Sequence, residues 1–288
     1  MREAKNPRKG SKLKVTGTSE VYRVHDKSDE IYEEIQRNGY AIAKNIFSYK
    51  DCSKAKKKID EIYKKQAREF GGENYLASID DHNQVRAPFV YDNFFIKFIN
   101  QKFLNQVLIK CFGKKYILNL QNCPINRAHD KHLGSAWHRD LPYQHFVPSR
   151  PLSITTIVCL DEFTKKNGGT FILPFSHKFE KFPSDGYVKN NEKQIEASVG
   201  DVIILDALIY HRAGANNTNH ERKLVVNMFT LPFIKQQVNF PNMLKGKFSK
   251  DKELSYLMGY DSKVEDSILE RRKKQKERFK KKPKYYFL

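Results

Sequence analysis

GDVIILDALIYHRAG at residues 200–214, followed by ANNTNHE and then RKLVVNMFTL at 222–231, is the stretch that decides how the chain reads. Two runs rich in β-branched and large apolar residues flank a polar, Asn-rich turn. That pattern predicts two antiparallel strands. The first run delivers His211 at its C-terminal end, and the second opens on Arg222. Neighbouring strands lie about 4.8 Å apart, so the pattern predicts Arg222 on the strand next to that of His211, slightly deeper than it. A guanidinium there can hold a carboxylate with two parallel N–H groups.

Working outward, similar short runs occur at 116–120, 153–160 and 169–173, separated by Gly, Pro and Asn. The N-terminal part has a different period. Residues 28–38 read as a helix started by Ser28 and stopped by Gly39, with a strand at 40–43. A second helix starts at Ser48 and turns Ile59 and Ile62 inward. A third is predicted near 92–112, with Gly113 at its end. Helices first and strands after predict an α+β fold, mainly β, with helices on the outside of a sandwich or jelly roll. The expected organisation is a basic arm over 1–20, one domain over 21–262, and a basic C-terminal tail over 263–288 that follows a helical stretch.

The segment Trp137-His138-Arg139-Asp140 carries the chemistry. On an extended chain, residues two apart share a face. His138 and Asp140 would therefore project together, with Arg139 on the other side. One imidazole and one carboxylate are two of the three ligands of the facial triad of non-haem Fe(II) oxygenases. His211 is the candidate third. By the same donor set the site could also hold Zn, Mn or Ni.

Taken together, several motifs resemble the phytanoyl-CoA dioxygenase family of Fe(II)/2-oxoglutarate oxygenases. They are Asn38-Gly39-Tyr40, WHRDLPY at 137–143, NGGTFILPFSH at 167–177, and GDVIILDALIYHRAG followed by Arg222. The resemblance covers roughly residues 28–262. It implies a double-stranded β-helix (a cupin-like jelly roll) and the cofactors Fe(II), 2-oxoglutarate and O2. It implies that His138, Asp140 and His211 bind iron and that Arg222 binds the distal carboxylate of 2-oxoglutarate. The implied reaction hydroxylates a small metabolite and releases succinate and CO2, and the intact Asp140 implies hydroxylation in preference to halogenation. Two positions depart from the family pattern. Ala213 stands where a Ser or Thr often helps the arginine, and Thr155 and Thr156 stand where an aromatic residue is common. Thr156, and Gln121 from the preceding strand, are the expected polar contacts to 2-oxoglutarate. Tyr143, His145 and Arg150, in the loop after Asp140, are expected to line the substrate mouth. With Arg127 and Arg139 nearby, they suit an anionic substrate.

The 288 residues carry 53 Lys+Arg and 33 Asp+Glu, a formal net charge of +20. Residues 1–14 hold +5 of it and residues 271–284 hold +9. Tails of this kind attract nucleic acid or anionic membrane, and a binding protein built on them is an alternative reading, as is a metalloenzyme that does not use 2-oxoglutarate. Only 14 of the basic residues are Arg, and aromatic residues are not interleaved with the clusters. Solvated tails are therefore the expectation. No apolar run is long enough for a membrane span. The four cysteines lie far apart and the first residues lack an apolar core, which predicts reduced thiols in a cytoplasmic protein.

Overall fold

The computed structural model describes residues 16–17, 22–130, 133–141 and 147–281. In chain order the elements are α1 (Lys27–Asn38), β1 (Tyr40–Ala43), α2 (Tyr49–Glu69), α3 (Glu73–Ser78), β2 (Gln84–Arg86), α4 (Pro88–Tyr91), α5 (Ile96–Ile99), α6 (Lys102–Phe112), β3 (Ile117–Asn126), β4 (Ser153–Cys159), β5 (Phe171–Ile172), α7 (Asp185–Asn191), β6 (Lys193–Gln194), β7 (Val202–Asp206), β8 (His211–Arg212) and β9 (Arg222–Thr230). They form one compact unit, Met1–Val238. A second unit, Asn239–Leu288, carries α8 (Phe240–Leu244), α9 (Lys252–Leu257) and α10 (Ile268–Lys281). The expected N-terminal arm falls almost wholly outside the described residues, as do 282–288 of the tail.

Local chemistry sets the helix ends. Asp26, not Ser28, caps α1: its carboxylate accepts the Asp29 N–H and also the Ser28 hydroxyl. A carboxylate at this position also interacts favourably with the positive end of the helix dipole. Gly39 closes α1 in the left-handed region at φ +83°, and a Cβ there would lie 2.5 Å from Nδ1 of His177. Ser48 caps α2 through the Asp51 N–H, as the sequence predicts. The predicted third helix is broken instead. Asp92 is extended and spends its side chain on the Phe94 N–H, and Gln101 caps a new start at α6 through Leu104. Side chains that bond the backbone locally compete with helix continuation in this way.

The strands form two antiparallel sheets. The larger has the order β1-β7-β4-β9-β3-β2 and the smaller the order β6-β5-β8. Residues 201–211 do not make one strand. After β7 the Asp206 carboxylate accepts the Leu208 N–H and the Asp206 carbonyl accepts the Ile209 N–H, so the chain turns and re-enters as β8 in the other sheet. The polar segment after β8 then returns the chain to the larger sheet as β9. Arg222 therefore stands on the sheet opposite His211, not on the neighbouring strand. Its strand lies between β4 and β3.

Cross-strand register separates the two faces of the larger sheet. Ile42, Ile203, Ile157 and Val226 align across β1, β7, β4 and β9. They belong to a cluster with Cys159, Phe163, Ile172, Ile195, Leu205, Ile209 and Leu224, drawn from both sheets. Each such aliphatic side chain stabilises the fold by about 1.5–3 kcal/mol when fully buried. The other face meets the helices. There Asn227 donates to the Phe98 carbonyl and Gln121 to the Phe95 carbonyl. All four cysteines are free and buried. Among the described residues no helix is long and apolar enough to cross a membrane.

Candidate metal centre

His138 and His211 face each other through a two-residue β-bridge. The His138 N–H donates to the His211 carbonyl at 3.0 Å and the His211 N–H returns the bond at 3.1 Å. Asp140, two residues on, is held by its own N–H on the Ala207 carbonyl at 3.1 Å. This extended segment therefore docks along the incoming arm of β8, and the period of two puts His138 and Asp140 on one side. One ligand atom from each of His138, Asp140 and His211 falls within 4.8 Å of the others. Oδ1 of Asp140 lies 3.5 Å from Nε2 of His211 and 3.9 Å from Nε2 of His138.

The second nitrogen of each ring is already committed. Nδ1 of His138 bonds the Ala136 carbonyl at 2.8 Å, and Nδ1 of His211 bonds the Ile209 carbonyl at 3.1 Å. A carbonyl can only accept, so each Nδ1 carries a proton and each Nε2 is left as the nitrogen turned to the common point, where loss of any proton it holds frees a lone pair for a metal. This is the outer support that orients a metal-binding imidazole. Burial alone would raise the Asp140 pKa, but the charge and hydrogen bond of His211, with a hydrogen bond from Thr155, outweigh it and hold the carboxyl down to about 2. Burial and the neighbouring His211 keep the His138 pKa below its ordinary value. For His211 burial opposes protonation, yet the Asp140 charge wins and raises its pKa. Two neutral imidazoles and a carboxylate form the donor set that suits Fe(II) with open positions.

Arg222 is 2% exposed. Its Nε donates to the Asn167 carbonyl at 3.0 Å and its Nη2 to the Gly168 carbonyl at 2.8 Å. The guanidinium lies 4.0 Å over the Phe163 ring. Nη1 is buried and has no hydrogen-bond partner among the described residues. No ion pair ties Arg222 to Asp161 or Glu221; those carboxylates engage Lys56, Lys223 and Arg127 instead. Burial pushes its pKa down to about 10, so the charge persists near neutrality. The carbonyls that grip it come from a turn that only glycine fits, since a Cβ on Gly168 would meet the Gly214 carbonyl oxygen at 2.3 Å. A buried cation with one donor nitrogen free fits a carboxylate ligand. Asn126, its register partner on β3, likewise has a buried Oδ1 without a partner; the sequence reading missed it.

Other expected site residues lie elsewhere. Thr156 and Gln121 are corrected: both are on the helix-facing side, where Asn227 donates to the Thr156 hydroxyl and Gln121 donates to Asn227. The Gln121 amide nitrogen and the Thr156 hydroxyl oxygen are engaged there, while Oε1 of Gln121 is buried without a hydrogen-bond partner among the described residues. The hydroxyl that reaches the metal centre belongs to Thr155, which donates to Oδ2 of Asp140 at 2.5 Å. Arg139 turns away from the ligands, as parity predicts, and caps the carbonyls of Ser176, Phe179 and Glu180. Arg127 is tied to Glu73, Glu221 and Asn83. Arg150 is exposed, while Tyr143 and His145 lie outside the described residues. Trp137 packs on Phe182 and under Arg212.

Asp206, at the corner between β7 and β8, gives a pH-dependent stability. Burial pushes its carboxyl up from 3.8 to about 6. The folded state thus binds this proton more tightly than the unfolded chain. The associated stability is fully present below about pH 4 and is lost as pH rises through about 6. Asp206→Asn keeps the acceptor for Leu208 and removes the buried charge. It is expected to stabilise the protein by up to about 3 kcal/mol at pH 8 and to change little at pH 4, as thermal unfolding at the two pH values will read. An equal effect at both would contradict this.

A profile of the phytanoyl-CoA dioxygenase (PhyH) family matches residues 35–224, well over half of the chain and inclusive of the triad and Arg222. The chain belongs to the phytanoyl-CoA dioxygenase family. It is therefore an enzyme of the non-haem oxygenase type. Within this setting, an uncharacterized protein of Mycobacterium tuberculosis, Rv1501, is 23% identical over 221 residues, covering 75% of this chain and 80% of that protein. An iron/alpha-ketoglutarate-dependent dioxygenase of Aspergillus calidoustus is 33% identical over 113 residues, 37% of each chain. Among solved structures, the nickel complex of the non-haem monooxygenase ThoJ superposes with TM-score 0.55 at 16% identity, covering 73% of this chain and 80% of that one. That likeness shows that the phytanoyl-CoA dioxygenase-family chain shares its fold with that protein.

Proposed function

We propose that this chain is an Fe(II)- and 2-oxoglutarate-dependent dioxygenase that hydroxylates a small metabolite. His138, Asp140 and His211 hold the metal, and Arg222 binds the distal carboxylate of 2-oxoglutarate. The two sheets act as the halves of a double-stranded β-helix. The observation that carries the reading is the pairing of that triad, with both Nε2 atoms turned to one point, with a buried guanidinium one partner short. Bound Fe(II), with 2-oxoglutarate and O2, supplies an oxidant for C–H bonds, and the co-products are succinate and CO2.

The chain's own groups then have defined tasks. The Ala136 and Ile209 carbonyls keep each histidine in the tautomer that binds metal. Arg222 supplies charge and direction to the co-substrate from within a dry setting, where electrostatic attraction is stronger than in water. The apolar cluster between the sheets, including Phe163 beside Arg222, excludes water there. The reading without 2-oxoglutarate loses ground because no carboxylate among the described residues pairs with Arg222. Tyr143, His145 and Arg150 are proposed for the substrate mouth, and an anionic substrate rests on these alone, because Arg127 and Arg139 are spent elsewhere.

The test is succinate formation in the presence of Fe(II), 2-oxoglutarate and O2, run over a panel of carboxylated, phosphorylated and neutral metabolites. Succinate above the iron-only background, stimulated by one member of the panel, supports the reading and names the substrate class. Iron-loaded protein that never turns over 2-oxoglutarate, with or without substrate, contradicts it.

A further inference from the structure

The two oxygens of Asp140 are in different situations. Oδ1 faces both imidazoles, at 3.5 and 3.9 Å from their Nε2 atoms. Oδ2 is tethered at 2.5 Å by the hydroxyl of Thr155. Thr155 is 2% exposed and sits mid-sheet on β4, in register with Leu205 of β7 and Met228 of β9. Its backbone is thus fixed on both sides, which makes it a rigid post. The terminal torsion of an aspartate is otherwise broad and roughly two-fold, so nothing in Asp140 itself selects which oxygen points inward, or whether both do.

On the metal assignment made above, we infer that Thr155 is a positioning residue that holds Asp140 as a one-oxygen ligand. Its hydroxyl proton is given to Oδ2, so that Oδ1 alone is offered to the metal. A carboxylate that swung to present both oxygens would occupy two positions beside the two imidazoles, four in all instead of three. The tether therefore keeps one metal position open that the side chain would otherwise fill. Since a threonine has one hydroxyl proton, Thr155 is not also a donor to 2-oxoglutarate. This role is separate from that of its neighbour Thr156, whose hydroxyl is buried against Asn227 on the other face.

The experiment compares wild type, Thr155→Val and Thr155→Ser by anaerobic titration with Co(II). The visible d–d spectrum reports ligand geometry and a competing chelator reports affinity. Thr155→Val is nearly isosteric and is expected to bind Co(II) about 10–100-fold more weakly, the usual loss when an outer partner of a ligand is removed, with an altered spectrum. Thr155→Ser is expected to restore both. If Thr155→Val fails to fold, as judged by apo-protein thermal unfolding, Thr155→Ala and Thr155→Cys carry the same comparison. Wild-type affinity and spectrum in the variants that lack the hydroxyl would overturn the inference while leaving the metal site standing. If wild type binds no Co(II), or His211→Ala binds it unchanged, the metal assignment itself falls and this inference falls with it.

Discussion

Asp140→Asn is expected to lose iron binding and, with it, turnover of 2-oxoglutarate. Asp140 is the one anionic member of the triad, and its carboxylate stays ionised far below neutral pH. Removing an outer hydrogen-bond partner of a ligand typically costs 10–100-fold in metal affinity, so removing the charged ligand itself is expected to exceed about 100-fold. The amide also deprives His211 of the charge that raises its pKa, so His211 in the variant titrates at lower pH. That change helps metal binding near neutrality, because less proton has to be displaced, but it is small beside the loss of the anion. Chelator competition measures the affinity and succinate release measures the turnover. Turnover within tenfold of wild type would remove Asp140 from the site.

Arg222→Met is expected to have the second-largest effect, and it falls on a different ligand. Hydrogen bonds to charged groups contribute about 1.5–3 kcal/mol each, and the guanidinium adds its charge in a buried setting. A loss near 3 kcal/mol corresponds to about 100-fold in affinity. The dissociation constant for 2-oxoglutarate is therefore expected to rise about 100-fold while Fe(II) affinity is unchanged. Arg222→Lys is not expected to rescue it. An ammonium cannot hold the Asn167 and Gly168 carbonyls and a third acceptor in the planar fork that Arg222 uses. A change of less than about threefold in Arg222→Met would contradict the role.

The convergence of His138, Asp140 and His211 was readable because its logic is local. Two residues apart on an extended chain means one face, and a run of apolar residues ending in His211 marks a strand end. The route of the chain was not readable in the same way. The segment between Arg212 and Arg222 can join neighbours in one sheet or cross to another, and nothing in its composition distinguishes them. At the crossing Gly168 lies tight against Gly214, a contact between residues far apart in sequence. The choice between Thr155 and Thr156 failed for a related reason. Every residue of β4 is buried, so no polar–apolar alternation sets the phase of the strand. The phase comes from register with Asn227 and Leu205. Arg127 looked free in sequence because its partners Glu73 and Glu221 are 54 and 94 residues away. The short strands β2 and β6 escaped because three and two residues carry no period.

One site is proposed to hold iron through His138, Asp140 and His211 and a 2-oxoglutarate through Arg222. The most direct measurement is the anaerobic visible spectrum of the protein loaded with Fe(II) and titrated with 2-oxoglutarate. The expected result is a weak charge-transfer band in wild type, no band in Asp140→Asn, and the wild-type band at about 100-fold higher 2-oxoglutarate in Arg222→Met. Iron bound with no band at any 2-oxoglutarate concentration, or a titration that Arg222→Met leaves unchanged, would contradict it.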